Sequence, residues 1–310
     1  MPKVDLITGF LGAGKTTFLL RYARYLMAQG ERLCILEYDY GAVNTDMLLL
    51  KELRGDRCEL EMLAAGCDRD CLNRRFRTKL ISMAMSGYDR VIIEPSGVFD
   101  MDLFYDSLRE PPLDNWYETG SVIAIVSAGL GSETLTPEEE FILASQASCA
   151  GCVLFSRVQQ LPPEAVSAAQ RRLEEAAEHI GCRNFSPVYI AKNWQALTDG
   201  DFAQIASCGY HLADYTKTIA GQESDFGSVS ILEPKAELKV LLERIGVLFA
   251  DPSYGEISRV KGFVKGGGET WQINATPRET RTSPCDPVKT VLTVIGKDLN
   301  QEEILRLLNQ

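Results

Sequence analysis

The chain has 310 residues, 45% hydrophobic and 24% charged, enough for one large domain with a smaller one beside it. Its 32 basic and 43 acidic side chains leave a net charge of −11, a field that repels polyanions and excludes nucleic acid and anionic membrane as default partners. No stretch approaches the roughly 20 apolar residues of a bilayer span, and no basic leader precedes the first strand, so a cytoplasmic protein is expected. There its nine cysteines would be reduced, serving as core residues, metal ligands or redox groups.

In chain order, residues 4–8 (VDLIT) read as a short buried strand, followed by GFLGAGKT and by an amphipathic helix carrying Phe18, Leu19, Tyr22, Ala23 and Leu26. Further apolar runs at 33–36, 91–93, 121–126, 153–155 and 188–190 predict strands, and helices are predicted over 69–85, 136–146, 163–179 and 194–207. Alternation of this kind implies an α/β fold with a mostly parallel, doubly wound sheet. Residues 217–227 (KTIAGQESDFG) break the pattern and set a boundary, giving domains over 1–220 and 226–310. The tail reads as strand 227–232, helix 235–249, strands 256–264, 270–274 and 289–295, and helix 301–308, a small α+β sandwich with helices on one face.

Gly9-x4-Gly14-Lys15-Thr16 is a phosphate loop in its proper context of strand, loop and helix. Glycines let successive N–H groups face a β-phosphate at the positive end of a helix dipole. Gly9, Gly12, Ala13, Gly14, Lys15, Thr16 and Thr17 are therefore the expected phosphate ligands. Lys15 would bridge the β- and γ-phosphates, and the Thr16 hydroxyl would ligate Mg²⁺. The run Val91-Ile92-Ile93-Glu94-Pro95-Ser96-Gly97 delivers Glu94 at a strand's carboxyl end, where it can hold Mg²⁺ through water. Gly97 would offer its N–H to the γ-phosphate, a hydrogen bond that hydrolysis removes and so the basis of a switch.

ITGFLGAGKTT, IIEPSG, ISRVKGF (257–263), Trp271 and VIGKDLN (294–300) together resemble the CobW/HypB/UreG-type P-loop GTPases, over nearly the whole chain. The resemblance implies a GTPase, with ATP as the alternative nucleotide. It further implies a metallochaperone or cofactor-insertion role, a client metalloprotein as partner, and a homodimer as one way to assemble. It also implies a carboxylate near Mg²⁺ at the end of the second strand, where this chain has Asp39 in Tyr38-Asp39-Tyr40-Gly41. Asp46 downstream suits either the metal or a helix cap.

Two motifs depart from the family. Its Gly-Cys-x-Cys-Cys stands here as Gly66-Cys67-Asp68-Arg69-Asp70-Cys71. Cys67 and Cys71, four apart, would share a face on a helical turn and suit Zn²⁺ or another soft metal. Asp68, Asp70 and Cys58 are candidate helpers, and plain packing is the alternative. Cys149-Ala150-Gly151-Cys152 is a second candidate pair for metal or redox chemistry, though its context suggests packing into the sheet. The guanine motif Asn-Lys-x-Asp is replaced by Ser156-Arg157-Val158-Gln159. Arg157 can still stack on a purine, but neutral Gln159 cannot reproduce the bidentate carboxylate. Nucleotide choice is then relaxed, or guanine is read by other groups such as the backbone of 191–193. Arg259, Lys261, Lys265 and Trp271 are read as a client-docking surface or a solvated basic strand. A regulator or adaptor with little turnover, and a small-molecule kinase, are the competing functions.

Overall fold

The computed structural model describes residues 1–39, 49–64, 69–99, 101–215, 226–285 and 290–309. These fall into two compact units, and among them no helix is long and apolar enough to cross a membrane.

The first unit is built on seven strands: β1 (Lys3–Thr8), β2 (Leu33–Asp39), β3 (Cys58–Ala64), β4 (Arg90–Pro95), β5 (Glu118–Ser127), β6 (Cys152–Ser156) and β7 (Val188–Ile190). Their order across the sheet is β3-β2-β4-β1-β5-β6-β7. The pairs β2·β4, β4·β1, β1·β5, β5·β6 and β6·β7 are all parallel. β1 and β4 are buried along nearly their whole length, which is why both read as continuous apolar runs rather than as alternating ones.

Helix α1 (Lys15–Ala28) covers one face, burying Phe18, Leu19, Tyr22, Ala23 and Leu26, the five positions that the helical period selects. The other face carries α2 (Arg69–Met85), α3 (Met101–Arg109), the single turn α4 (Leu113–Trp116), α5 (Pro137–Ser148) and α6 (Pro163–His179). Thr136 opens α5 with a reciprocal capping box to Glu139, and Pro137 follows in the first turn. The predicted helix over 194–207 is interrupted. Trp194–Ala196 is a 3₁₀ turn capped by the Asn193 side chain, and α7 (Asp199–Ala206) starts afresh from a Thr198–Asp201 capping box. Two local caps within five residues outcompete a continuous helix. Phe202 of α7 then stacks on Phe18 and Tyr25 of α1.

At the amino ends of the strands a buried polar group fixes the sheet. Asp5, fully buried, accepts hydrogen bonds from Tyr22 Oη (2.6 Å), Arg90 Nη1 (2.7 Å) and the Ser121 N–H (2.8 Å). Arg90 also bonds both Glu31 oxygens. Burial pushes the Asp5 carboxyl above its usual range, against the pull of Arg90 and these donors.

The second unit contains β8 (Phe226–Leu232), α8 (Leu238–Ala250), β9 (Glu256–Gly266), β10 (Glu269–Ala275), β11 (Thr280–Cys285), β12 (Val291–Lys297) and α9 (Gln301–Asn309). Its sheet runs β11-β10-β9-β12-β8, all antiparallel. Leu241, Ile245 and Leu248 of α8 and Ile304 and Leu308 of α9 pack with Val260, Val264, Ile273, Leu292 and Val294, so both helices sit on one face. The expected basic docking row does not form as such. Lys261 is buried mid-strand, Arg259 Nε bonds Asn274 Oδ1, and the Trp271 indole donates to Gly266 O, leaving only Lys265 of the four exposed.

Candidate nucleotide site

The glycine loop leaves β1 between Thr8 and Lys15. Gly9, Gly12 and Gly14 have φ of 141°, 76° and 106°, values that side chains avoid. Ala13 N–H closes a turn on Phe10 O at 3.2 Å. Gly14, left-handed, is the N-cap of α1 and carries no side-chain cap, so the first N–H groups of that helix are available to an anion.

Lys15 is 7% exposed, and its ammonium donates to Gly9 O across the loop at 2.9 Å. This holds a cation over the cradle that the loop encloses. The Thr16 hydroxyl donates to Glu94 Oε1 at 2.8 Å, bringing together the two side chains that the sequence assigns to Mg²⁺. Glu94 is 3% exposed at the end of β4. Thr17 is exposed one residue further along α1.

Gly97 closes the cradle. A Cβ there would stand 2.5 Å from the Leu11 N and 2.8 Å from its Cα, so the turn after β4 lies directly on the phosphate loop. The Gln146 amide of α5 ties that turn down by donating to Gly97 O (3.2 Å) and Phe99 O (3.4 Å).

On the other flank, Ser156 ends β6 and Arg157 takes a left-handed conformation, φ 61°. Arg157 Nη2 donates to Gly12 O at 2.9 Å. This side chain, read from sequence as a purine stacker, is thus also a strut of the loop. Gln159 lies exposed in the 3₁₀ turn that follows. Trp194 abuts Gly14, with Cη2 3.2 Å from where a Cβ would be, and it meets Phe18 edge-on. Lys192, after β7, is tied to Asp201 Oδ2 at 2.6 Å. That bond, with the Thr198 cap, pulls the Asp201 carboxyl down to about 2.

These residues fit a nucleotide with its magnesium. The loop presents N–H groups and a lysine to an anion, and Thr16 and Glu94 supply the hard oxygens that Mg²⁺ requires. Thr8 Oγ1, Ser156 Oγ and Trp194 Nε1 are buried around the loop without a hydrogen-bond partner among the described residues, polar capacity that a ligand can use.

One carboxylate of this site gave only a faint signal in the sequence. Glu37 is 2% exposed and pairs in register with Glu94 on the neighbouring strand. Ile35 and Ile92, two residues before each, face α1, so both acids share that face. An acid inside the run LCILEYD is that signal. Asp39 ends β2, and its side chain lies outside what the structure describes, as do Asp46, Cys67, Asp68 and the side chain of Asp70.

Cys71, in α2, is half-buried. Among the described residues no group of three or more His, Cys, Asp or Glu could hold a metal ion. Cys58, the suggested third thiolate, is a core residue whose thiol burial pushes up to about 11. Cys149 and Cys152 do not act as a unit either. They belong to the cores on opposite faces of the sheet, and burial raises Cys149 to about 12.

The family model for the nucleotide-binding domain of CobW/HypB/UreG matches residues 3–182, from the first strand to beyond α6. The chain belongs to the CobW/HypB/UreG family. Curated relatives include the zinc chaperone YeiR of Escherichia coli, 28% identical over 176 residues, covering 55% of this chain and 51% of that protein. The zinc chaperone YjiA of Escherichia coli is 28% identical over 209 residues, covering 64% and 58%. The zinc chaperone CobW of Pseudomonas aeruginosa is 24% identical over 351 aligned positions, covering 97% and 89%. The match thus spans little more than half the length of the first two. Among solved structures, Zn(II)-bound YjiA GTPase from E. coli aligns over 99% of this chain and 97% of its own, with 18% identity and a TM-score of 0.37.

Proposed function

We propose that this CobW-family chain binds and hydrolyses a nucleoside triphosphate, GTP first, and uses the cycle to gate transfer of a soft metal ion, Zn²⁺ foremost, to a client metalloprotein in the cytoplasm. The observation that carries it is the phosphate cradle: Lys15 over the Gly9–Gly14 loop, Thr16 joined to Glu94, and Gly97 seated on Leu11. Residues 1–220 would do the nucleotide work and 226–310 would form a second domain for client contact or for a homodimer.

In this reading Lys15 neutralises the β- and γ-phosphates, and the N–H groups from Gly12 to Thr17 bind the β-phosphate. Thr16, Glu94 and Asp39 hold Mg²⁺, with Glu37 beside Glu94 supporting it. The metal, when bound, neutralises charge developing on the phosphate oxygens. Gly97 N–H would meet the γ-phosphate, so loss of that group removes one of the bonds that hold the turn after β4 against the phosphate loop. Ser156, Arg157 and Gln159 flank the base. Arg157 also transmits the position of that flank to the loop through Gly12 O.

The metal half rests on the relatives, whose names describe zinc chaperones, and on Cys67 and Cys71 as the thiolates. Its test is phosphate release by the metal-free chain with and without Zn²⁺. Turnover should change with Zn²⁺, and Cys67→Ala or Cys71→Ala should abolish the change. A Zn²⁺ response identical in those variants would remove the cysteines from the account.

A second reading, a nucleotide-dependent regulator or adaptor with little turnover, is favoured by one feature. The flank of the base carries exposed, neutral Gln159 where a GTPase of this class places an aspartate. Tight nucleotide binding without phosphate release would select it.

A further inference from the structure

The polypeptide leaving α7 folds back onto the amino end of β6, far from the phosphate loop, which lies at the strands' carboxyl ends. Tyr210 bridges Ala150, Val122 N–H donates to Gly209 O at 2.9 Å, and His211 N–H donates to Cys149 O at 3.0 Å. The approach is close. A Cβ on Gly151 would lie 2.3 Å from Cys208 O. Cys208, half-buried, therefore packs against the same core cluster that contains Cys152, the first residue of β6.

The two thiols differ in chemistry. Cys152 is fully buried, and the neighbouring Cys208 thiol together with burial raises it well above the usual thiol range. The Cys208 thiol is pulled down by that neighbour, helped by the Ser121 hydroxyl and opposed by burial, and its sulfur donates to Gly209 O at 3.6 Å and Val122 O at 3.8 Å. The half-buried Cys208 sulfur is the one a small oxidant can reach, and fully buried Cys152 is placed behind it, the division of labour of an attacking and a resolving cysteine.

We propose that Cys152 and Cys208 form a redox-active dithiol, which hydrogen peroxide converts to an intramolecular disulfide joining the segment after α7 to the start of β6. Cys208 thiolate attacks one peroxide oxygen. The O–O bond breaks, hydroxide leaves and is protonated to water, and Cys208 becomes a sulfenic acid. Cys152 sulfur then attacks the Cys208 sulfur, the S–OH bond breaks, and the Cys152 proton leaves with that hydroxide as the second water. Two thiols lose two electrons, and one peroxide gains them. The pair Cys149/Cys152, adjacent in sequence, cannot do this because its members face opposite sides of the sheet.

The test uses the full chain, reduced, freed of nucleotide and treated with hydrogen peroxide. Catalase quenching, alkylation under denaturing conditions and peptide mass mapping follow. The proposal predicts one cross-linked peptide pair, Cys152 with Cys208, which dithiothreitol separates. In Cys152→Ser the sulfenic acid should persist on Cys208 and be captured by dimedone, and Cys208→Ser should give neither product. Cys152→Ala and Cys208→Ala provide the same readout should either serine fail to fold. Full alkylation of both residues after peroxide, or a cross-link joining Cys208 to another cysteine, would overturn it. None of these outcomes depends on nucleotide turnover.

Discussion

Gly97→Ala tests whether the turn after β4 lies on the phosphate loop. The added methyl would stand 2.5 Å from Leu11 N and 2.8 Å from Leu11 Cα. Ordinary van der Waals contact begins near 3.4 Å, so the backbone of one segment must retreat by about 1 Å. The atoms met are main chain, and the turn is fastened behind by Gln146, so the loop is the part that yields. Overpacking of this kind costs about 1–3 kcal/mol, which appears as a roughly 5- to 150-fold loss of nucleotide affinity where binding restores the native loop. A misplacement of about 1 Å at the reacting phosphate can further cost on the order of 100-fold in turnover. The assay is titration with a fluorescent GDP analogue in Mg²⁺, with thermal melting as the control on folding. Affinity within about twofold of wild type would refute the packing argument, because a methyl group cannot enter that space without displacing the loop.

Asp5→Ala should destabilise the first unit by about 3–5 kcal/mol, because Arg90, Tyr22 and the Ser121 N–H lose a fully buried acceptor. Denaturant melts check this, and a loss below about 1 kcal/mol contradicts it. Asp201, held down to about 2 from 3.8, stabilises the start of α7 above pH 3.8. That contribution falls away as the pH drops from there towards 2, and an Asp201→Asn variant should lack this acid-dependent step when the Trp194 signal is followed. Gln159→Asp should raise the preference for GTP over ATP by roughly 10- to 150-fold, the worth of about 1.5–3 kcal/mol for a charge-assisted pair. An unchanged ratio in competition binding would place base recognition elsewhere.

The cradle was legible because its chemistry is local. Glycines, a lysine and a threonine at fixed spacing before a helix declare themselves, and Glu94 is announced by the apolar run that ends in it. What the sequence hides depends on contacts between distant residues. The Arg157 strut to Gly12 joins positions 145 residues apart, and nothing around Arg157 signals it. Glu37 becomes notable only when β2 is laid beside β4 in register. β3 (CELEMLA) is a sheet-edge strand in which glutamates alternate with apolar residues, and β11 (TRTSPC) is a largely exposed edge strand containing a proline. Edge strands lack the buried apolar run that marks central ones. The docking row misled for the opposite reason, since Lys261 is basic yet sits buried in mid-sheet.

We read the loop from Gly9 to Thr16, with Glu94, as a magnesium-dependent nucleoside triphosphate site. Its most direct test is equilibrium titration of the metal-free chain with GTP and with ATP, in Mg²⁺ and in EDTA, following binding and released phosphate together. Binding should depend on Mg²⁺ and be tighter for GTP, with slow phosphate release. No saturable binding of either nucleotide in Mg²⁺, or binding unaltered in Lys15→Ala, would contradict it.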